Sequence, residues 1–319
     1  MSDRPKSIEI CEKGPREGLQ IEKAIIPTER KIALIDALSE TGLKQIQICS
    51  FVDARRVPGW ADVDAVVAGF KPRDGVRYSP LWLNEKGLER ALQYKDRLSF
   101  RDAILMSASE PFLIRNQNSD SKKNAERQHN FVTILKENGI ASESALIQAA
   151  FGCNFAGDIP VATLISTIQQ AFDIANEHSI TLKRVSLNDT MAWATPDTVK
   201  AAVGAIRERW PSLRVNLHFH NTRGLGIANV YAGLEMGVDS YDSSVAGLGG
   251  CPFAGHKGAA GNVCTEDIVF LCDELGISTG IDIDKLIAAA HLAEDVVGHA
   301  LPGSIMRGGP LKQLREKLQ

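Results

Sequence analysis

The chain has 319 residues, of which 44% are hydrophobic and 24% are charged, with a formal net charge of −3 and a sequence pI of about 6.2. This composition is ordinary for a globular enzyme. It lacks the basic excess of most proteins that bind nucleic acids or membrane surfaces, and so it argues against those functions. The N-terminal MSDRPKSIEI lacks the apolar core of a secretory signal, and no apolar run approaches the ~18 residues of a membrane helix. We therefore expect a cytoplasmic protein without membrane or nucleic-acid partners.

Short β-rich runs alternate with amphipathic helical stretches along the whole chain. One helix is indicated after a candidate N-cap at Thr28, and another by the 3.6-residue period of apolar side chains over residues 161–174. The predicted strands, in chain order, are IEIC (8–11), QIQICSF (45–51), VRYSPLWL (76–83), DAILMS (102–107), SALIQAAF (144–151), RVSLN (184–188), RVNLHFH (214–220) and DSYDSSV (239–245).

The alternation of strands and helices determines the predicted fold class. Crossover helices imply parallel pairing, and eight strand–helix units favour closure into a barrel. We predict an α/β fold, a (β/α)8 TIM barrel over residues 1–280, with a C-terminal helix and tail over residues 281–319 packed on the same domain. An open doubly wound sheet is the alternative, but GPREGLQ (14–20), which follows the first strand, is not its GxGxxG phosphate turn.

Six cysteines are widely spaced and contain no CxxC pair, so we expect free thiols in a reducing compartment. Cys251 differs from the others because it lies in a glycine-rich segment, residues 243–262, rather than in an apolar run. It is the best candidate for a reactive thiol, although a spectator cysteine on a loop is the alternative. The glycines are suited to a mobile loop over a site, or to an inert long loop.

The strongest local signal is LHFHN (217–221). Residues two apart in a strand point to the same side, so His218 and His220 are expected to project together at the end of the seventh strand. Two imidazoles on one face make half of a metal site, whereas the alternative is one structural histidine with a chance neighbour. Glu17, at the end of the first strand, could be a third ligand or a salt-bridged turn carboxylate. Such ligands suit Mg²⁺, Mn²⁺ or Zn²⁺ acting as a Lewis acid.

Asp189 stands in SLNDTMAWATP at the end of the sixth strand. A carboxylate there can act as a base or orient one, since the active sites of α/β barrels lie at the carboxyl ends of their strands. It stands six residues before the helix start at TPDTV, which makes simple helix capping a weak explanation. A turn-forming role is the remaining alternative.

Several motifs in fixed order together resemble one family. GPREGLQ, the SF of QICSFV followed by VPGWAD, SASE, SLNDT, HFHNT and VAGLGGCP are similar to the 3-hydroxy-3-methylglutaryl-CoA (HMG-CoA) lyase family, over about residues 8–310. The resemblance implies a TIM-barrel, Mg²⁺- or Mn²⁺-dependent lyase that cleaves an acyl-CoA by a retro-Claisen reaction, with Zn²⁺ less favoured. It releases acetyl-CoA and a 3-oxo acid, and a homodimer is the family expectation.

The resemblance also implies roles for individual residues. Glu17, His218, His220 and Asn262 correspond to the metal ligands. Arg16 would stabilise the enolate oxygen of the thioester, Asp189 and His218 would assist proton transfer, and Cys251 would protonate the acetyl-CoA carbanion. Positions near the acyl-CoA correspond to Gln20, Lys23, Gln47, Ser50, Asn116 and Ser186.

The chain departs from the family pattern at three places. The family motif reads RDGLQ, so Glu17 is one methylene longer than the expected aspartate, and Gln47 stands where the family normally has a glutamate. Glutamine carries no charge and cannot accept a proton, which suggests a related acyl group rather than the parent one. The loop before Asn262 is longer by about two residues, and its His256 and Lys257 either contact the substrate or belong to a tolerated insertion.

Two further functions stay open on the sequence. A Claisen-type synthase or an oxo-acid aldolase of the same superfamily would share the HxHN motif and the metal, but such enzymes normally lack GGCP, which this chain has around Cys251. A barrel that binds an acyl-CoA without turnover is the non-catalytic alternative. The expected lyase is distinguished from it by metal-dependent release of acetyl-CoA.

Overall fold

The computed structural model describes residues 4–100, 103–249 and 261–318 of the chain. All eight predicted strands are present within these residues, together with two very short strands, β6 and β7, that were not predicted. The strands are β1 (Glu9–Glu12), β2 (Gln45–Ser50), β3 (Arg77–Leu81), β4 (Ala103–Ser107), β5 (Ser144–Gln148), β6 (Gly152–Cys153), β7 (Gly157–Asp158), β8 (Arg184–Asn188), β9 (Arg214–His218) and β10 (Ser240–Ser243).

Helices follow nearly every strand, as the alternating pattern predicts. They are α1 (Gly14–Ile21), α2 (Thr28–Ser39), α3 (Val63–Gly69), α4 (Glu85–Leu92), α5 (Glu110–Gln117), α6 (Ser121–Glu137), α7 (Val161–Glu177), α8 (Pro196–Arg209), α9 (Gly226–Glu235), α10 (Thr265–Leu275), α11 (Ile283–Val297), α12 (Ile305–Gly308) and α13 (Leu311–Lys317), with single 3₁₀ turns η1 (Pro58–Trp60) and η2 (Val245–Gly247). None of the described helices combines the length and hydropathy needed to cross a membrane.

The described chain divides into two compact units, each considered by itself. The central unit consists mainly of residues 100 and 103–241, and the flanking unit of residues 6–99, 242–249 and 261–318. β10 contributes its first two residues to the central unit and its last two to the flanking unit.

In the central unit the strands pair in the order β4-β5-β8-β9, all in parallel. The register brings strand ends together, since Ser107 pairs with Gln148, and Asn188 with His218. β6 and β7 form a small antiparallel ribbon after β5. The carboxyl ends of β8 and β9 therefore lie side by side, with the Asp189 loop beginning at one of them.

In the flanking unit β1 pairs in parallel with β2, and β2 with β3. The β2–β3 register shifts between Gln47 and Cys49. Such an irregularity re-aims side chains at the end of a strand, here near the carboxyl end of β2. Helices α10 to α13 complete this unit; α11 is the predicted C-terminal helix, and α12 and α13 lie in the segment predicted as a tail.

Element boundaries differ from the prediction at two informative places. Thr28 is the first residue of α2 rather than its N-cap, because its hydroxyl donates to Asp62 at 2.6 Å instead of accepting from the helix backbone. The predicted strand 214–220 ends at His218, two residues early. His220 nevertheless stays close to His218, with ring centroids 5.0 Å apart.

A glycine between α2 and β2 provides a test of the flanking unit's packing. Gly42 has φ +96°, and a Cβ there would run into the carbonyl oxygen of Gly280. A side chain at this position would strain the backbone and would also clash with the Gly280 carbonyl. We therefore expect Gly42→Ala to lower the free energy of unfolding by about 3 kcal/mol. Urea denaturation measures this loss.

Gly75 is the matched control, since it has φ +78° and a Cβ there would meet no heavy atom within 4 Å. Gly75→Ala should cost only the backbone strain, about 1 kcal/mol. Equal losses in both variants would show that the approach of the Gly280 carbonyl does not matter.

Candidate active site

Strained backbone marks the segments that follow the carboxyl ends of three strands. Ala149 after β5, Ala192 in the loop after β8 and Ala246 after β10 all have positive φ, at 50°, 57° and 53°. Side chains other than glycine are costly in this region, so such residues persist only where surrounding structure holds them. These strand ends are the edge at which an α/β barrel carries its site.

Arg16 and Glu17 lie in the first turn of α1, directly after β1. The Arg16 Nε donates to Gln47 Oε1 at 2.6 Å, and its Nη2 donates to Glu17 Oε2 at 3.1 Å. Arginine only donates, so the Gln47 amide must present its oxygen to the guanidinium. The guanidinium is thus held in one orientation by a neutral acceptor and a carboxylate.

Asn262 lies beside Glu17 in the flanking unit and is almost fully buried. Its Nδ2 has two N–H groups, which are shared among three acceptors: Glu17 Oε1 at 3.2 Å, Ser244 Oγ at 2.9 Å and the Leu248 carbonyl at 3.1 Å. Its Oδ1 is buried and accepts no hydrogen bond from any residue that the structure describes. A buried amide oxygen without a donor is a cost unless a ligand occupies it, and an amide oxygen is a ligand for hard cations.

Two buried carboxyls that the sequence did not single out support this region. Glu12 accepts from the Gly14 amide at 2.7 Å, the Val245 amide at 2.9 Å and the Thr265 hydroxyl at 2.5 Å. Glu266 accepts from the strained Ala246 at 3.0 Å. Burial raises the pKa of Glu12 to about 7 and that of Glu266 to about 8. Both carboxyls hold the backbone that leads into and out of the glycine-rich loop.

In the central unit His218 and His220 are both buried, and their rings meet edge to face. The Nδ1 of His220 lies 2.7 Å from the backbone carbonyl oxygen of Asp189. A carbonyl only accepts, so in the neutral ring Nδ1 carries the proton and Nε2 the lone pair. This tautomer is the one that a metal ligand needs.

Asp189 is 1% exposed and lies beside these histidines. Its Oδ1 accepts from the backbone amides of Trp193 at 2.7 Å and Ala194 at 3.0 Å, which confirms a turn-stabilising role. Its Oδ2 is buried and receives no hydrogen bond from the described residues. Burial raises the pKa of this carboxyl to about 6, although His220 and the two amides act in the opposite direction.

A polar network joins β8, β9 and the first residue of β10, and Ser186 is the one member that the sequence predicts as a site residue. Asn216 donates to the Ser186 hydroxyl at 2.9 Å, and that hydroxyl donates to Asn188 Oδ1 at 3.0 Å. Ser240 donates to Asn216 Oδ1 at 2.8 Å. The signal was available in the polar residues two apart, Ser186 with Asn188 and Asn216 with His218, since alternate residues of a strand share a face.

The other predicted residues occupy varied environments. Gln20 is half-buried in α1, and Ser50 is fully buried at the end of β2; the Gln20 Oε1 and the Ser50 Oγ have no hydrogen-bond partner among the described residues. Lys23, past the end of α1, and Asn116, in α5, are exposed. Cys251, His256 and Lys257 lie outside the described residues.

In the central unit His218 and His220 each offer an imidazole nitrogen to a metal ion, and in the flanking unit Glu17 offers a carboxylate oxygen and Asn262 an amide oxygen. Each of these donor types suits a divalent cation. A second group, Cys264, Glu266 and Asp267, fits poorly, because Asp267 already accepts from two backbone amides and burial keeps the Cys264 thiol protonated by raising its pKa.

Comparison with known proteins extends over nearly the whole chain. The sequence model of the HMGL-like family matches residues 7–293. The hydroxymethylglutaryl-CoA lyase YngG of Bacillus subtilis (strain 168) is 37% identical over 305 residues, which cover 93% of this chain and 96% of that protein.

Solved structures agree with the sequence comparison. The hydroxymethylglutaryl-CoA lyase of Pseudomonas aeruginosa superposes with a TM-score of 0.86 at 35% identity, covering 99% of both chains. The HMG-CoA lyase of A. baumannii, solved with coenzyme A and 3-methylmalate, superposes with a TM-score of 0.84 at 33% identity, covering 98% of this chain and 97% of that one. These structures confirm the predicted α/β barrel fold of eight parallel strands with C-terminal helices.

Proposed function

This chain belongs to the HMGL-like family and is an HMG-CoA lyase-like enzyme, a carbon–carbon lyase, and from this premise we propose its reaction in detail. The reaction is a divalent-metal-dependent retro-Claisen cleavage of a 3-hydroxy-3-methylglutaryl-CoA-like thioester, which yields acetyl-CoA and a 3-oxo acid. The observation that carries it is the buried Asp189 carboxyl, with an oxygen that accepts nothing from the described residues, beside the paired imidazoles of His218 and His220.

Glu17, His218, His220 and Asn262 would hold the cation, Mg²⁺ or Mn²⁺. The lone pair on His220 Nε2 and the Asn262 Oδ1 without a donor support this set. When bound, the cation would supply Lewis-acid polarisation of the substrate's oxygens, and the described residues contain no cluster of thiolates that would favour zinc. The two oxygens of the Glu17 carboxylate face different partners, since Oε1 accepts from Asn262 and Oε2 from Arg16.

The protein's own groups then move protons and stabilise charge. Asp189, assisted by His218, accepts the proton of the substrate's 3-hydroxyl, and the C2–C3 bond breaks as the hydroxyl oxygen becomes the ketone of the 3-oxo acid. The electron pair of that bond passes to the acetyl-CoA enolate, whose oxygen faces the Arg16 guanidinium. Cys251 donates a proton to the enolate carbon, which completes acetyl-CoA.

The acyl-CoA is contacted by Gln20, Lys23, Gln47, Ser50, Asn116 and Ser186 in this proposal. Support comes from the A. baumannii relative, whose structure contains coenzyme A and 3-methylmalate. Gln47 is neutral and already bonded to Arg16, so it cannot act as a base. We therefore expect an acyl group related to, but different from, 3-hydroxy-3-methylglutaryl.

The proposal also includes a homodimer in a reducing, cytoplasmic compartment. The cysteines that the structure describes support the compartment, since Cys11, Cys49, Cys153, Cys264 and Cys272 are all buried free thiols. Size-exclusion chromatography with light scattering tests the dimer.

Turnover on a panel of thioesters tests the reaction. We expect Mn²⁺- or Mg²⁺-dependent release of acetyl-CoA from at least one 3-hydroxy-3-alkylglutaryl-CoA or citramalyl-type thioester. Gln47→Glu should raise activity on 3-hydroxy-3-methylglutaryl-CoA relative to the preferred substrate, and no change would make Gln47 incidental to specificity. Net condensation of acetyl-CoA with an oxo acid, without cleavage, would instead indicate a synthase, and metal-free acyl-CoA binding without turnover would indicate a non-catalytic barrel.

A further inference from the structure

A lysine occupies the apolar face of α2. The buried residues of this helix are Lys31, Leu34, Ile35, Leu38 and Ser39, which recur with helical spacing. Lys31 is 1% exposed, and a lysine is almost never buried to this extent unless its charge is paired. An apolar side chain at this position would serve packing alone, so the buried ammonium needs another explanation.

The ammonium of Lys31 binds one short segment, residues 57–62, which connects β2 to α3. Its Nζ donates to the Gly59 carbonyl at 2.5 Å and to Asp62 Oδ1 at 2.6 Å, and it lies 5.0 Å from the centroid of the Trp60 ring. Thr28 donates to the other oxygen of Asp62 at 2.6 Å. The ammonium therefore fixes the backbone, the carboxylate and the aromatic ring of this segment at once.

The same segment contacts the helix that carries Arg16. The indole Nε1 of the fully buried Trp60 donates to the backbone carbonyl of Arg16 at 3.3 Å. A Cβ on Gly59 would lie 3.2 Å from the Leu19 carbonyl, so only a glycine packs there without displacement. The segment thus contacts α1 at two backbone carbonyls one helical turn apart, those of Arg16 and Leu19. Arg16 is also the residue whose guanidinium binds Gln47.

Stability alone does not account for this arrangement. A buried ion pair loses solvation that its attraction only partly returns, and apolar replacements of such pairs are often neutral or stabilising. After loss of Lys31, the Asp62 carboxylate would still accept from the Thr28 hydroxyl. The Asp62 side chain is also partly exposed, so water can solvate its charge. Removing the ammonium should therefore leave a folded protein in which segment 57–62 is less firmly held.

We propose that Lys31 is a positioning residue which, through Trp60 and segment 57–62, sets the place of Arg16 relative to the thioester. This inference rests on the proposed function of Arg16. Displacement of about 1 Å in a catalytic group can lower the rate by about 10²-fold, whereas substrate binding depends on many other contacts. The expected consequence is a lower kcat with little change in KM.

Lys31→Met and Trp60→Phe test the proposal on the preferred thioester. We expect kcat to fall about 30-fold in Lys31→Met and about tenfold in Trp60→Phe, with KM within about threefold of wild type. Arg97→Met is the matched control, because Arg97 also lies over an aromatic ring, that of Phe70, and donates to two backbone carbonyls, but it makes no contact with α1 among the contacts the structure describes. Its kcat should stay within about twofold of wild type.

A double-mutant cycle separates positioning from a structural role. In an Arg16→Lys background, Lys31→Met should lower kcat less than threefold further, because the group that it positions is gone. An equal fall in both backgrounds, or a fall that follows the folded fraction measured by circular dichroism, would overturn the proposal.

A second readout is independent of turnover. The protein has four tryptophans, and ¹⁵N labelling of their indoles allows the exchange of the Trp60 N–H to be followed. We expect the Trp60 N–H to exchange at least tenfold faster in Lys31→Met than in wild type, and at the wild-type rate in Arg97→Met. If wild type released no acetyl-CoA from any thioester, the proposed function would fail, while unchanged exchange in Lys31→Met would overturn the positioning role itself.

Discussion

Replacing Arg16 by lysine is expected to lower kcat about 10³-fold on whichever thioester the wild type cleaves. The guanidinium binds Gln47 through Nε and Glu17 through Nη2. Under the proposed function, its planar fork would present the remaining N–H groups to the enolate oxygen. A lysine keeps the charge but has one flexible ammonium, which cannot hold both neighbours and the oxyanion together. Steady-state release of acetyl-CoA under saturating metal measures the loss.

The KM of Arg16→Lys should change far less than its kcat, since the charge on the enolate develops only in the transition state. Arg73→Lys is the control, because Arg73 is half-exposed and pairs with Glu40 on the surface of the same unit. Its kcat should remain at the wild-type value. A tenfold or smaller loss in Arg16→Lys would mean that positive charge alone is sufficient and that the fixed orientation contributes little.

The second large effect concerns metal binding by His220. We expect His220→Ala to weaken Mn²⁺ binding at least 100-fold and to abolish turnover, because its ring is already fixed in the ligand tautomer by the Asp189 carbonyl. Calorimetric titration of the chelator-treated protein with Mn²⁺ measures the affinity directly. The chelator-treated wild type should be inactive and should recover when Mn²⁺ or Mg²⁺ is added.

His178→Ala provides the comparison for this variant. His178 is also a paired histidine, since its Nε2 lies 3.0 Å from His129 Nδ1. It caps the C-terminus of α7 rather than following a strand. Its loss should leave Mn²⁺ affinity unchanged. If His220→Ala bound Mn²⁺ as tightly as wild type, this histidine would not be a ligand, and the proposed ligand set would be wrong.

Local regularities explain how much of the fold could be predicted. Short β-rich runs located all eight predicted strands, and the two-residue repeat of a strand placed His218 beside His220. Asp189 was identified from its position after a strand, a rule that needs only chain order. Boundaries were less secure, as with Thr28, whose hydroxyl binds Asp62 rather than the start of its own helix.

Contacts between distant parts of the chain could not be predicted in the same way. The Arg16–Gln47 hydrogen bond joins residues 31 apart, and Glu12 meets Thr265 across 253 residues. No periodic pattern carries information about such pairs, because they depend on which strand ends become neighbours. The raised pKa of Glu12 follows from the same burial and was equally hidden.

The sequence by itself determined the alternating architecture, the family and the residue types of the candidate site, because these depend on spacing and on motifs in order. Only the tertiary structure decided how those residues are held: the amide of Gln47 turned toward Arg16, the ring of His220 anchored on a carbonyl, and Lys31 buried on an apolar helix face. Hydrogen bonds are directional and burial is a property of the packed chain. These particular contacts therefore form only when segments that are remote in sequence come together.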